Sequence, residues 1–572
     1  MKNPEFSHLP FSSSKSTFYI LNSSFCILLI GFALRLYALD GESLWYDELL
    51  QLDIAQGPLG GILPALPRHA AVPLDYFITH FWIMLGRQDF WVRLPAVFLG
   101  TLTLPLAYQL GRRLLGRTEG MVLMALLALS PFHVRYSQEA RPYALLVLGV
   151  VVAAFAFWRL RLTGRWPYAA LLLVGGLIFS LSHFFAVVLF LPWGLFAVLD
   201  VVFQRQRRAA LLALGALTVT GVLALSMLLA LGWGPTLVNV ARLFGETVLQ
   251  PERFLVEAEE KPNRSAGPEI GWNLLKYQVA GPLGAGGAPW SLLLFNGLAG
   301  VGLIYLLTRR KFKLVIWLSL WLSLPMVSVI AFLVHRGEFF EPRYIISTLP
   351  AYLVLLTSGL LAVPRWAGQF GRGRWLPLAF VLVGGLVLVE LGTGLGHLYR
   401  FQEKENWRLV SRFIAQNAKA GEPIVAVNAE STLNWYYQPG LAAPDSYDSL
   451  AQIEAAVSPA SRSWLVISIF TEYLGLEDDR IKAWLSEQGA IRLDLDPLIS
   501  VYYLGPGTTP EQLLAEIRQF ALPVDHQLYA SLARENRRDP LVARQYLQLA
   551  IENAPDEATR AEYESVLASL GL

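Results

Sequence analysis

The sequence predicts a polytopic α-helical membrane protein followed by a water-soluble α/β domain and a short helical tail. Three observations carry that prediction. Hydrophobic residues make up 54% of the 572 and charged residues only 16%, with a mean hydropathy of +0.45, far above the balance of an ordinary soluble chain. Eleven apolar runs approach the roughly 20 residues that a helix needs to cross hydrocarbon. The charge is also divided. Residues 397–572 hold 15 Lys+Arg and 24 Asp+Glu, a balance of −9, whereas residues 1–396 stand at +11.

The same composition excludes other classes. Cys26 is the only cysteine, so neither an intrachain disulfide nor a cysteine zinc site can form; inside its apolar run it reads as a small buried residue. The basic residues fall in short clusters between apolar runs, not in one patch with interleaved aromatics, which argues against nucleic acid as a partner. No Walker A, G-x-G-x-x-G or H-E-x-x-H motif is present, and no D-x-D lies in the outer loops, the one occurrence, Asp494-Leu495-Asp496, falling in the tail. Nucleotide use and a paired-carboxylate metal site in those loops therefore have no support.

The elements follow in order. Spans are expected at 17–39, 94–111, 118–133, 143–160, 166–183, 184–203, 209–232, 289–307, 314–334, 344–363 and 375–396. The first is long, with no A-x-A-like site after it, and reads as a retained span rather than a cleaved signal. With the N-terminus in the cytoplasm, eleven spans put every basic cluster on the cytoplasmic side: Arg112/Arg113/Arg117, Arg159/Arg161/Arg165, Arg205/Arg207/Arg208, Arg309/Arg310/Lys311/Lys313 and Arg365/Arg372/Arg374. The stretch 71–86 is short and contains Asp75, so it reads as a helix in the outer interface. Loops 40–93, 134–142, 233–288 and 335–343 and the tail then face outward, and chemistry is expected there.

In the tail, 422–428, 463–470 and 499–505 are β-like runs. Between them 406–421 and 479–490 read as amphipathic helices, the first capped at Gly421. The expected division is a membrane domain over 1–396, an α/β domain over 397–507 and a helical tail over 508–572, where 540–555 resembles one helix of a tetratricopeptide hairpin.

Three constellations on the outer side could carry chemistry. Asp47-Glu48 in SLWYDELLQLDIAQG follows the first span; adjacent carboxylates there are either functional or a solvated pair starting an interfacial helix. FHVRYSQEARPYALL (132–146) gathers His133, Arg135, Tyr136, Glu139, Arg141 and Tyr143, a set able to grip a phosphate and offer an acid, or else a self-paired loop tip. EPRYIISTLPAYLVLL (341–356) brings Arg343-Tyr344 into a span from outside, as a ligand contact or an interfacial anchor. His183, at the junction of two spans, is either a satisfied buried histidine or a ligand contact.

These residues, with PLDYFITHFW and the long run from RLPAVFLG to RPYALL between them, resemble the GT-C membrane glycosyltransferases. The likeness is to the superfamily of protein O-mannosyltransferases and aminoarabinose transferases. It covers roughly 30–210 and 340–360, with a weaker match at NWRLVSRF. The resemblance implies a polyprenyl-phosphate monosaccharide as donor and an acceptor on the outer face of the cytoplasmic membrane. It implies Asp47 as general base with Glu48 in support. It also implies Glu139, Arg141, Arg343 and Tyr344 near the lipid phosphate, with Tyr136, Tyr143 and His183 as further substrate contacts. No cofactor or metal is expected. Two departures touch the acceptor: Val72-Pro73-Leu74-Asp75-Tyr76 replaces the family's Pro-Pro-Leu-Tyr-Tyr, so Asp75 is a candidate acceptor contact, and the tail lacks a β-trefoil insertion. A lipid-linked-sugar flippase without transferase activity is the competing reading, but it predicts more polar residues inside the spans than this sequence contains.

Overall fold

The computed structural model describes residues 14–235 apart from 70 and 204–206, then 289–336, 341–369, 376–400, and most of 404–513 and 544–569. Most of loop 233–288 and most of the candidate repeat helix 540–555 lie outside the described residues. The chain forms two compact units. One comprises Met1–Tyr37, Pro58–Arg87 and Trp91–Leu398, and the other Ala38–Gly57, Gln88–Phe90 and Tyr399–Leu572. The start of the first outer loop therefore belongs with the tail, a grouping that hydropathy alone does not predict.

In the first unit every expected span is helical. The helices are Ser14–Leu36, Asp89–Leu114, Arg117–Leu129, Tyr143–Thr163, Trp166–Ser182, Phe190–Phe203, Arg207–Ala230, Pro289–Thr308, Phe312–Arg336, Leu349–Gln369 and Leu376–Arg400. Among the described residues seven helical stretches are long and apolar enough to cross a bilayer, and three further apolar helices are shorter. The expected span 118–133 is cut short. Ser130 is extended and Pro131 opens a separate helix, Pro131–Tyr136, leaving a 13-residue segment of about 20 Å, less than the hydrocarbon thickness. The stretch 71–86 forms the helix Pro73–Ile83, also too short to cross. Cys26 is exposed, not buried; an apolar helix face turned away from its neighbours stays compatible with lipid.

The bundle packs by close approach of small residues, as expected where lipid is as apolar as the helices. A Cβ on Gly302 would collide with the Leu355 carbonyl, and one on Gly359 with the Leu298 carbonyl, so the helices Pro289–Thr308 and Leu349–Gln369 touch backbone to backbone. Between other helices lies an aromatic core of Phe157, Trp158, Trp193, Phe196, Trp317 and Trp321. Beside it, buried Arg161 donates through Nε and Nη2 to the two oxygens of Asp200 (2.9 and 2.8 Å), while its guanidinium lies 4.5 Å from the Trp158 ring centroid. Lys313 adds a third contact to Asp200 at 2.9 Å. At that end of the bundle Lys311 also donates to the Leu114 carbonyl and Arg365 pairs with Glu119. Three of the basic clusters expected on one face thus contribute to one end of the unit.

The second unit holds a five-stranded sheet of order β2-β1-β3-β5-β4, with β1 Ile424–Val427, β2 Asp445–Tyr447, β3 Ser463–Ser468, β4 Ile491–Asp496 and β5 Ile499–Leu504. β1 pairs parallel with β2 and β3, and β5 runs antiparallel to β3 and β4. Central β1 and β3 are buried at every position, as continuous apolar strands require. The helix Trp407–Asn417 is capped by Asn406, whose side chain accepts from the Leu409 amide. It ends at Asn417, so Gly421 is not its cap. With φ +90, Gly421 instead makes the turn that enters β1, a conformation glycine adopts without strain. Helix Asp478–Glu487 matches the second expected helix. Strands β2 and β4 went unread, β4 because IRLDLD alternates with charges and β2 because it has three residues.

Candidate active site

In the first unit, seven expected residues converge. Pro131 starts a short helix that ends at Tyr136, and the chain then turns so that Tyr143 opens the next helix. This puts the Tyr136 and Tyr143 rings in edge contact at 4.8 Å, with the Arg141 guanidinium 6.0 Å from the Tyr143 centroid. From the far side of the sequence, the 3₁₀ turn Pro342–Thr348 brings Arg343 against the Tyr344 ring at 5.8 Å. His183 lies between them, 5.6 Å from Tyr143 and 6.5 Å from Tyr344.

Electrostatics tie the group together. Burial first, and then the positive charges of Arg141 and Arg343, hold the His183 imidazole neutral, its pKa lowered to about 3. The Phe185 amide donates to its Nδ1 (3.3 Å), which leaves the proton on Nε2. His183 is therefore a neutral donor, not a third cation. Tyr136 is buried, and burial raises its phenol well above the usual value, while it senses Arg135, Glu139, Arg343 and Glu341. Glu139 is buried and ion-paired with Arg135 at 3.7 Å. Three guanidiniums from two distant segments and two acids thus surround aromatic walls, an arrangement suited to a small anion with an apolar or sugar-like attachment. Asp75 is buried in the first turn of Pro73–Ile83, a helix that packs on Trp166–Ser182, whose end leads to His183.

One buried arginine escaped the sequence reading. Arg35, at the end of the first helix, donates to the carbonyls of Gly31 (2.7 Å), Leu127 and Ala128 (both 3.3 Å) and to His133 Nδ1 (2.7 Å). It saturates backbone freed where Ser130 breaks the helix, and so supports the turn that leads to Tyr136. Its signal was the lone guanidinium at the end of an apolar run.

In the second unit, Asp47 and Glu48 occupy the first turn of the helix Tyr46–Gln56. Glu48 is fully buried and its Oε2 accepts from the Trp45 amide (3.3 Å), the backward half of a capping box. It thereby holds the helix start, while Asp47 beside it is only half-buried. Residues near NWRLVSRF fasten this helix. Buried Glu405 accepts from the Tyr46 amide (2.9 Å) and from Ser468 (2.8 Å), and burial followed by the Asp47 and Glu405 charges raises the Tyr46 phenol pKa. Arg408 bonds Asp89 and the carbonyls of Asp40 and Glu42. Tyr436 donates to Asp89 (2.7 Å) and accepts from the Leu44 amide (2.8 Å). None of Glu405, Arg408, Asp89 and Tyr436 was singled out in the sequence, because their partners lie hundreds of residues away. Tyr436→Phe removes both bonds, and faster amide exchange at Leu44 is the expected result; unchanged protection would contradict this anchoring.

Residues 69–231 match the family model described as dolichyl-phosphate-mannose-protein mannosyltransferase. That segment contains Asp75, Glu139, Arg141 and His183, but not Asp47 or Arg343. No curated protein matches the sequence. Among solved structures, ArnT from Cupriavidus metallidurans in the apo state is similar at 15% identity and TM-score 0.50, over 86% of this chain and 99% of that one. ArnT from the same organism bound to undecaprenyl phosphate gives 15% identity and TM-score 0.47 over 87% and 99%. The Archaeoglobus fulgidus oligosaccharyltransferase in the apo form gives 11% and 0.49 over 80% and 70%. At such identities the likeness is one of fold.

Proposed function

We propose, from the premise that this chain is a GT-C membrane protein of the mannosyltransferase-like superfamily, that it transfers a monosaccharide from a polyprenyl-phosphate donor to a hydroxyl acceptor on the outer face of the cytoplasmic membrane. The observation that carries this reading is the meeting of Arg141 and Arg343 around neutral His183 and the Tyr136, Tyr143 and Tyr344 rings. A family described by a lipid-phosphate-linked mannose handles a phosphate monoanion attached to a sugar, and two guanidiniums beside aromatic walls suit both parts.

The chemistry assigned is a single displacement. The Asp47 carboxylate takes the acceptor proton, and the acceptor oxygen attacks the anomeric carbon. The bond from that carbon to the phosphate oxygen breaks, and the electron pair leaves with the polyprenyl phosphate. Arg141 and Arg343 balance the charge that develops on it. Glu48 acts through Asp47's helix rather than on substrate, and Glu139 holds Arg135. The decisive experiment is purified protein in liposomes with a synthetic polyprenyl-phosphate sugar and an analysed glycoside product. Inversion at the anomeric carbon with release of polyprenyl phosphate is expected, and retention would overturn the mechanism.

Two expected results follow from the charges. Arg141→Ala and Arg343→Ala each lower kcat/KM for the donor by one to two orders of magnitude, since a charge-assisted contact contributes about 1.5–3 kcal/mol; lysine rescues only partly because it lacks the planar fork. Full activity with alanine at both positions would remove them from the site. Activity is also expected to persist in a strong chelator, because a monophosphate leaving group presents less charge than a diphosphate and two arginines can meet it. Loss to chelator with rescue by Mg²⁺, Mn²⁺ or Zn²⁺ would reassign the acids as ligands.

A further inference from the structure

A second charged site lies at the opposite end of the first unit. The helix Leu349–Gln369 begins just after Arg343 and carries Arg365 near its far end, a separation of about 24 Å at 1.5 Å per residue. There the structure has a cavity of about 420 Å³ lined by Glu119, Tyr305, Arg309, Lys311, Ser358 and Arg365, with Leu115 and Leu306. That volume falls within the usual range for small-ligand sites. Three cations face one carboxylate.

The cavity's cations outnumber its acids, so its charge is only partly consumed internally. Glu119 is paired with Arg365 at 2.7 Å, and Lys311 donates to the Leu114 carbonyl at 3.1 Å. Arg309 has no ion pair among the described residues; its guanidinium lies 5.9 Å from the Tyr305 centroid, as does that of Arg365. Tyr305 thus stands between two guanidiniums and accepts from one (3.4 Å). Backbone geometry sets this up. The helix Pro289–Thr308 ends with Arg310 in the left-handed conformation (φ 56), and the Arg310 and Lys311 amides bond back to Leu307 and Leu306. The sharp stop places Arg309 and Lys311 on the cavity rim.

We propose that this cavity binds the phosphate headgroup of an anionic membrane lipid. A net positive, partly enclosed pocket selects a phosphate anion. What favours a lipid over a soluble anion is the surface beside it: Ile304, Leu307 and Phe312 are exposed and apolar on the same helix ends, so acyl chains have a wall next to the charged mouth. Basic pockets between membrane helices at the bilayer surface are recurrent headgroup sites. In the orientation read from the basic clusters this is the inner leaflet, a different place from the donor site.

The test uses the full chain, delipidated in a neutral detergent, and lipid binding read by native mass spectrometry. The probes are phosphatidylglycerol, phosphatidylcholine and inorganic phosphate. One phosphatidylglycerol is expected to bind in preference to phosphatidylcholine. Arg309→Ala should weaken it about tenfold, the low end for one charge-assisted contact. Arg310→Asn removes the same charge one residue away from a position that tolerates asparagine, and should change affinity less than twofold. Arg309 is exposed, so its loss leaves the fold intact, and Arg309→Gln repeats the measurement. Equal weakening by Arg309→Ala and Arg310→Asn would mean diffuse surface charge and overturn the site. Equal binding of phosphatidylcholine, or no binding at all, would do the same. Displacement by millimolar inorganic phosphate would overturn the lipid assignment in favour of a soluble anion.

Discussion

Asp47→Asn is expected to lower turnover by roughly 10²- to 10⁴-fold, the range lost when a positioned general base is removed, with KM for the donor little changed. Asparagine keeps the shape of the side chain and cannot accept the proton. Asp47 is the half-buried acid of its pair, so protein level and melting temperature should stay near those of the unmodified chain; a charge in the first turn of a helix contributes only about 0.3–1 kcal/mol. Glu48→Gln supplies the contrast. A glutamine carbonyl still accepts from the Trp45 amide, so the helix start survives and activity falls only modestly. An Asp47→Asn protein with more than a tenth of normal turnover would take the base role away from this residue.

The largest effect on stability is expected at Asp200. Its carboxylate meets Arg161 through two bonds and Lys313 through one, and both Arg161 and Asp200 are almost fully buried. Lys313 has about half its side chain in the open and can turn away. Arg161 cannot, held as it is against Trp158 and Phe196. Asp200→Asn therefore strands a buried guanidinium, a cost of about 3–5 kcal/mol, read as a melting temperature lowered by several degrees in nanodiscs. The paired change Arg161→Met with Asp200→Leu should recover most of the loss, because removing both charges together also removes the desolvation penalty. A single mutant that melts with the parent would show that the pair adds nothing.

How much of this was legible depends on the range of each interaction. The helices were readable because 20-residue apolar runs have one satisfactory state in lipid. The break at Ser130 was not, because hydropathy averages over the very residues where Pro131 restarts the chain. The arginine and tyrosine cluster was legible in kind: Tyr136, Glu139, Arg141 and Tyr143 lie in one short segment with visible chemistry. That His183 meets both this segment and Arg343 could be suspected only through a resemblance, and its neutrality depends on burial. That Glu48 is the acid of the pair that bends back to the Trp45 amide was hidden altogether, since adjacent carboxylates look alike in sequence. Glu405, Arg408 and Tyr436 look like ordinary residues of a polar tail until their partners are known.

Those last three residues bear on how the protein matures. Tyr46 meets Glu405 across 359 positions of sequence, and Leu44 meets Tyr436 across 392. Contacts of such separation are the slowest to form, and during synthesis none can exist until the tail has left the ribosome. The helix bearing Asp47 must therefore wait, uncapped by its partners, while all the membrane segments are inserted. A chain truncated after residue 398 would retain the described hydrophobic helices, short of the last two residues of Leu376–Arg400, and the whole arginine cluster, yet under the proposed chemistry it is expected to be inactive. Supplying residues 399–572 as a separate secreted fragment would then be the way to ask whether the last-made part of the chain serves as a built-in timer for activity.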